Sequence, residues 1–227
     1  MKKISHATIL IFVLISAAPL KAQFVADIPL IEFKATHDTS SYFIFYISGD
    51  GGLNTFSKNL CNSFSNSGVS VVFFNSLKYF WSRQSPDKAA ADIGAAIAHY
   101  KNSWHKQLVQ MTGYSFGADI LPFVYTRLPL SLQVTTPSIA LLSPSPSTDF
   151  EVHVAQMLGR KQGPGSDVVT ELNKISGKNL LLLYGRKEDD PIDLKRLKPG
   201  YKSLIIDGGH HYDKDVNRVA MFILKGQ

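Results

Sequence analysis

The chain has 227 residues, 44% of them hydrophobic and 19% charged, and its mean hydropathy is close to zero. That composition excludes a disordered tail, a collagen-like fibre and a polytopic membrane protein, and the length suits one domain with a full core. The formal charge is +6, but without Lys2, Lys3 and Lys21 the balance is 21 basic against 18 acidic residues. With so weak an excess and no run of like charges, the chain is not expected to bind nucleic acid.

In chain order, the first feature is a targeting segment. Lys2 and Lys3 precede an apolar stretch over residues 7–18, too short for a stable bilayer anchor. Leu20-Lys21-Ala22 sets a small residue at a cleavage position. Residues 1–22 therefore read as a signal peptide, and residues 23–227 as a single exported domain that starts at Gln23. No cysteine of lipoprotein type follows. The sole cysteine is Cys61, so no intramolecular disulfide can form. It lies in Leu60-Cys61-Asn62-Ser63-Phe64, which reads as a helix face with a small core residue.

Residues 28–35 suit an antiparallel edge strand. Short apolar runs follow at 42–47, 69–74, 108–112, 138–142, 180–184 and 204–206. Each is rich in β-branched or aromatic residues, as strands covered on both faces are. Helical patterns alternate with them. One spans 86–100, with Ser85 placed to cap it and Pro86 in the first turn; one spans 116–127; one spans 213–224, with Val216, Val219, Ala220 and Ile223 on one face. This alternation predicts an α/β fold with a mostly parallel, doubly wound sheet and helices on both faces. Residues 143–177, rich in Pro and Gly, break the pattern as a loop-rich excursion suited to a lid or a substrate wall.

The sharpest local signal is Gly113-Tyr114-Ser115-Phe116-Gly117 between an apolar run and a helical pattern. Two glycines permit a tight strand-to-helix turn that lifts a serine hydroxyl above the sheet. A serine nucleophile needs a base and an acid, which in such a fold follow it in that loop order: acid, then histidine. The loop after the run ending at Tyr184 offers Glu188, Asp189 and Asp190; Asp189 is favoured, then Asp190, then Glu188. After the last apolar run, Asp207-Gly208-Gly209-His210-His211 presents His210 as the base and leaves His211 structural or facing substrate. Two oxyanion donors are expected: the N–H of Phe116, and that of Asp50 or Gly51 in Ser48-Gly49-Asp50-Gly51-Gly52. No Gly-Lys-Ser/Thr follows those glycines, so a nucleotide loop is not indicated. No pair of Cys or His at ligand spacing accompanies His210 and His211, so neither metal nor cofactor is expected.

These stretches, with Ser76-Leu77-Lys78-Tyr79-Phe80-Trp81-Ser82-Arg83, Ala118-Asp119-Ile120-Leu121-Pro122-Phe123 and Asp149-Phe150-Glu151-Val152-His153-Val154, resemble the VirJ/AcvB virulence-protein family from about residue 40 onward, in its short VirJ form. The resemblance implies an α/β-hydrolase fold, a periplasmic location and cleavage of lysyl-phosphatidylglycerol, an aminoacylated phospholipid met at the membrane surface. It also implies type IV secretion proteins as partners. It casts Ser115 as nucleophile, His210 as base and the acid within 188–190. Leu53 departs from the aromatic expected after the glycine-rich loop.

A cationic lysyl headgroup calls for carboxylates around the pocket. Asp50, Asp119, Asp149 and Glu151 are the substrate-binding candidates, with His153, Tyr114 and His211. Asp119 has two other options: it could face the sheet or pair with Arg83. Tyr79, Phe80 and Trp81 read as core, with a wall near the bilayer surface as the alternative. Other specificities of the same fold, a carboxylesterase or a peptidase, are the alternative enzyme reading; a non-catalytic secretion adaptor is the alternative of another class.

Overall fold

The centre of the sheet is built from the most apolar runs. In the computed structural model, which describes residues 27–152 and 165–225, β2 (Tyr42–Ile47) lies between β3 (Val71–Phe74) and β4 (Leu108–Tyr114). The sheet continues through β5 (Ser138–Leu142) and β8 (Asn179–Gly185) to β9 (Tyr201–Ile206). β1 (Leu30–Phe33) closes the other edge, giving the order β1-β3-β2-β4-β5-β8-β9. Every neighbouring pair is parallel except β1 with β3. The edge strand and all six apolar runs thus appear where the patterning puts them.

Alternation along each strand divides the core. Phe43, Phe45 and Ile47 face one side of β2, with Val72, Phe74, Met111, Ile139 and Leu182 beside them. Helices α3 (Pro86–Ser103) and α4 (Phe116–Arg127) cover that side. Ile44 and Tyr46 face the other side with Val71, Phe73 and Leu183, under α1 (Thr55–Asn66) and α7 (Val216–Lys225). The sheet is therefore doubly wound. Each large side chain buried in these layers contributes about 1.5–3 kcal/mol.

Capping marks the helix ends. Ser85 accepts the Lys88 N–H with Pro86 at the start of α3, and Asn54 accepts the Ser57 N–H at the start of α1. The last helix begins later than its apolar periodicity suggests. Tyr212, Asp213 and Lys214 all have positive φ, so they form a short left-handed 3-10 turn and not the first turn of the α-helix, and Asp215 caps α7 by accepting the Arg218 N–H. A four-residue helix, α2 (Ser76–Tyr79), follows β3, and α5 (Leu130–Val134) follows α4. Within the loop-rich excursion, β6 (Ser147–Thr148) pairs with β7 (Ser166–Asp167) ahead of α6 (Val168–Leu172). The expected signal segment and His153 lie outside the described residues. Among the described residues, no helix is long and apolar enough to cross a membrane.

Candidate active site

All the loops that carry chemistry leave the C-terminal ends of parallel strands. β4 ends at Tyr114, Ser115 turns with φ 53° and ψ −124°, and α4 begins at Phe116. The glycines are required by contact. A Cβ on Gly117 would lie 2.2 Å from the Ile47 carbonyl oxygen, and one on Gly113 would lie 2.5 Å from that of Gly117. A non-glycine residue in such a conformation costs on the order of 1–3 kcal/mol and persists only when its surroundings fix it. Here the Ser115 N–H donates to Leu142 O at 2.8 Å, and the Ser115 carbonyl accepts from Ala118 at 2.7 Å.

The hydroxyl so presented meets an imidazole. Ser115 Oγ is 2.8 Å from His210 Nε2, and His210 Nδ1 is 3.3 Å from Glu188 Oε2. A proton on Nδ1, facing the carboxylate, leaves Nε2 to accept the serine proton. The other carboxylate oxygen, Oε1, accepts from Ser143 Oγ at 2.8 Å and from the Gly185 N–H at 2.5 Å. Burial raises the Glu188 carboxyl, but the hydrogen bonds from His210, Gly185 and Ser143 outweigh it and hold the group below its ordinary value.

The carboxylate that meets His210 is therefore Glu188, not the favoured Asp189. A turn closed by the Glu188 N–H on Gly185 O folds the first carboxylate back toward the sheet, while Asp189 and Asp190 point to solvent. Sequence alone cannot rank three adjacent carboxylates, because the turn decides which one faces inward.

The oxyanion candidates lie beside the serine. Phe116 opens α4, so its N–H has no intrahelical acceptor. The glycine-rich loop passes within van der Waals reach at Gly49, whose Cβ position is 3.3 Å from Ser115 Cβ. Asp50 and Gly51 follow directly, in a turn closed by the Gly52 N–H on Gly49 O. Ser48 pins this loop: its hydroxyl donates to Gly49 O and accepts the Ser76 N–H.

The expected substrate-binding residues divide. Asp119 is 4% exposed and accepts the Ser145 N–H at 2.5 Å; it does not pair with Arg83. Burial drives its carboxyl well above the ordinary value, against the Ser145 hydrogen bonds, and nearby Asp50 adds to the rise. Asp149 and Glu151 both meet Arg83, at 3.8 and 3.1 Å. Tyr114 is a core residue and not a pocket one: its ring is buried, and its hydroxyl lies 2.6 Å from His211 Nδ1 and donates to His210 O. His211 is exposed and stacked on Phe56 with ring centroids 5.8 Å apart. The aromatic trio also splits. Phe80 is fully buried and half-buried Tyr79 hydrogen-bonds Asp92, but Trp81 is 64% exposed, so it is not core. Patterning did not single out Ser143 or Tyr212. Among the described residues, no three His, Cys, Asp or Glu side chains gather as metal ligands would.

Residues 41–227 match the family described as Bacterial virulence protein (VirJ). The fold is similar to that of Est1E from Butyrivibrio proteoclasticus, with a TM-score of 0.63 at 15% identity over 86% of this chain and 91% of that one. It is similar to MenH from S. aureus, at 0.62 and 14% over 87% and 97% of the two chains. The Pyrococcus furiosus esterase Pf2001 gives 0.61 and 13% over 90% and 91%. At these identities the likeness shows a shared α/β-hydrolase fold. No curated protein matches the sequence.

Proposed function

We propose, from the premise that this chain belongs to the VirJ family, that it is a serine hydrolase cleaving the aminoacyl ester of lysyl-phosphatidylglycerol at the outer surface of the inner membrane. One observation carries the hydrolase reading: the unbroken line from Ser115 Oγ through His210 to Glu188, on a turn that tolerates its strain. The family resemblance supports the lipid substrate, and the sequence of residues 1–22 supports export to the periplasm.

Ser115 Oγ attacks the ester carbonyl as His210 Nε2 takes its proton, and Glu188 stabilises the imidazolium. The N–H of Phe116, with that of Asp50 or Gly51, receives the oxyanion. Collapse of the tetrahedral adduct breaks the bond to the glycerol oxygen, which takes the proton from His210 and leaves as phosphatidylglycerol. Water, deprotonated by the same imidazole, then releases lysine from the acyl-enzyme. The α-ammonium beside the carbonyl favours attack by withdrawing charge, and Asp50, in the oxyanion loop itself, is the carboxylate we assign to meet it.

A second reading, an esterase or peptidase for uncharged acyl groups, is favoured by Arg83, which already engages Asp149 and Glu151. The deciding test incubates the chain from Gln23, and its Ser115→Ala variant, with vesicles containing lysyl-phosphatidylglycerol. Release of lysine by the first alone supports the lipid reading. Labelling of Ser115 by a fluorophosphonate without lysine release supports the second, and no labelling of a folded chain defeats both.

A further inference from the structure

Glu188 does not stand alone on its loop. Its Oε1 accepts from Ser143, at the end of β5, and Ser143 Oγ is in turn 2.6 Å from Tyr212 Oη. Tyr212 is two residues beyond His210 and fully buried, and its hydroxyl also reaches Leu183 O at 3.0 Å. Both residues hold left-handed backbone, each with φ 53°. Such backbone is unfavourable for side chains other than glycine. The donors can be counted. Ser143 has one hydroxyl proton, and Glu188 is an acceptor when ionised, so that proton points to Oε1. Tyr212 has one proton for two acceptors, Ser143 Oγ at 2.6 Å and Leu183 O at 3.0 Å, so the two share it. The Ser143 proton therefore points to the carboxylate, and Tyr212 Oη braces Ser143 Oγ from its other side.

We propose that Ser143 and Tyr212 are positioning residues that hold the Glu188 carboxylate by Oε1 and so direct Oε2 at His210 Nδ1. The inference rests on the serine-hydrolase reading. It adds that the loop of the base and the seat of the acid are joined through one buried hydroxyl pair. Tyr212 arises from the His210 loop, Ser143 follows β5 and Glu188 lies in the loop after β8, so a chain of contacts from three separate segments ends at Oε1. A hydroxyl pair with only a packing role could be replaced by apolar groups of the same shape at little loss of function.

The test compares Ser143→Ala, Ser143→Gly and Tyr212→Phe with the wild type, using p-nitrophenyl acetate turnover and NMR of the His210 ring nitrogens. The glycine variant relieves the left-handed backbone while removing the same hydroxyl, so it separates strain from hydrogen bonding. Melting curves establish that each variant is folded; should neither serine variant fold, Tyr212→Phe carries the test. For both serine variants we expect kcat to fall about tenfold to a hundredfold with KM within about twofold, as for loss of other orienting partners. Tyr212→Phe is expected to fall less, because Ser143 still reaches Oε1. The ring nitrogens should show a proton on Nδ1 in the wild type and a mixture of tautomers in the variants. An unchanged kcat with an unchanged tautomer in folded variants overturns the proposal. If the wild type neither turns over ester nor takes a fluorophosphonate, the hydrolase reading fails, and the tautomer alone decides: a shift in the variants upholds the clamp, and no shift overturns it.

Discussion

The Tyr114 hydroxyl donates to the backbone carbonyl of His210 at 3.1 Å, so the residue before the nucleophile holds the loop that carries the base. The same oxygen is 2.6 Å from His211 Nδ1, and His211 stacks on Phe56. Position 114 therefore sets the approach of His210 from below. Removing one such hydrogen bond costs about 0.5–1.5 kcal/mol. Tyr114→Phe should lower kcat by about threefold to tenfold, given that 1.36 kcal/mol is one decade in rate. Steady-state turnover of a soluble ester measures this; an unchanged kcat would mean that the loop is held elsewhere.

Glu188 and Asp189 should separate cleanly. Glu188→Gln removes the charge that orients His210 and stabilises its imidazolium, so kcat should fall by about a thousandfold to ten-thousandfold. Asp189→Asn alters an exposed side chain and should leave kcat within about twofold. A large loss in Asp189→Asn with Glu188→Gln little affected would return the acid to Asp189.

Strain at the elbow predicts opposite effects at neighbouring positions. Ser115→Gly relieves φ 53° and should stabilise the chain by about 1 kcal/mol while abolishing activity. For a domain of this size that is a rise in Tm of about 2–4 °C. Gly117→Ala drives a methyl group against Ile47 O and should cost more than about 3 kcal/mol. Calorimetry of the two variants checks both signs.

Asp119 makes stability depend on pH. Burial raises its folded carboxyl well above the ordinary value of 3.8. The folded state thus holds this proton more tightly than the unfolded state does. The resulting stabilisation is complete below about pH 3.8 and is lost as pH rises through the elevated folded value. Asp119→Asn keeps an acceptor for Ser145 but cannot ionise. Its Tm should exceed that of the wild type by an amount that grows from pH 4 toward neutrality; a constant gap would mean an unshifted carboxyl.

Arg83 bears on selectivity. Arg83→Ala takes the guanidinium away from Asp149 and Glu151, so if the substrate is cationic its KM should fall, by about twofold to fivefold for an exposed pair. A lysyl ester compared with an acetyl ester provides the measurement, and equal KM changes for the two would dissociate these carboxylates from substrate.

Much of this architecture was legible in residue order. The strand over 42–47 and the helix over 116–127 coincide with β2 and α4, because apolar runs bounded by glycine leave few alternatives. Ser115 and His210 were legible for the same reason: glycines flank them where turns are needed. Four features were not. The choice of Glu188 depends on a turn at Gly185 that any of three carboxylates could have exploited. Tyr114 occupies the variable position of its motif, and only the strand's pleat buries its ring. The start of α7 is deferred by three left-handed residues that hydrophobic periodicity does not register. Ser143 lacked any signal, since a serine after a strand is common and its partner is 45 residues away.

Cys61 lies on the buried face of α1, against the face of the sheet that carries Tyr46 and Phe73, and burial pushes its thiol well above the ordinary value. As the one sulfhydryl in the chain, it is a built-in clock for opening of that layer. A thiol reagent can reach it only when α1 lifts from the sheet, so the modification rate under native conditions counts those openings. The opposite layer, under α3 and α4, contains no such reporter. A change that raises the rate has therefore loosened the α1 side of the sheet, or the whole molecule, rather than the α3 side alone.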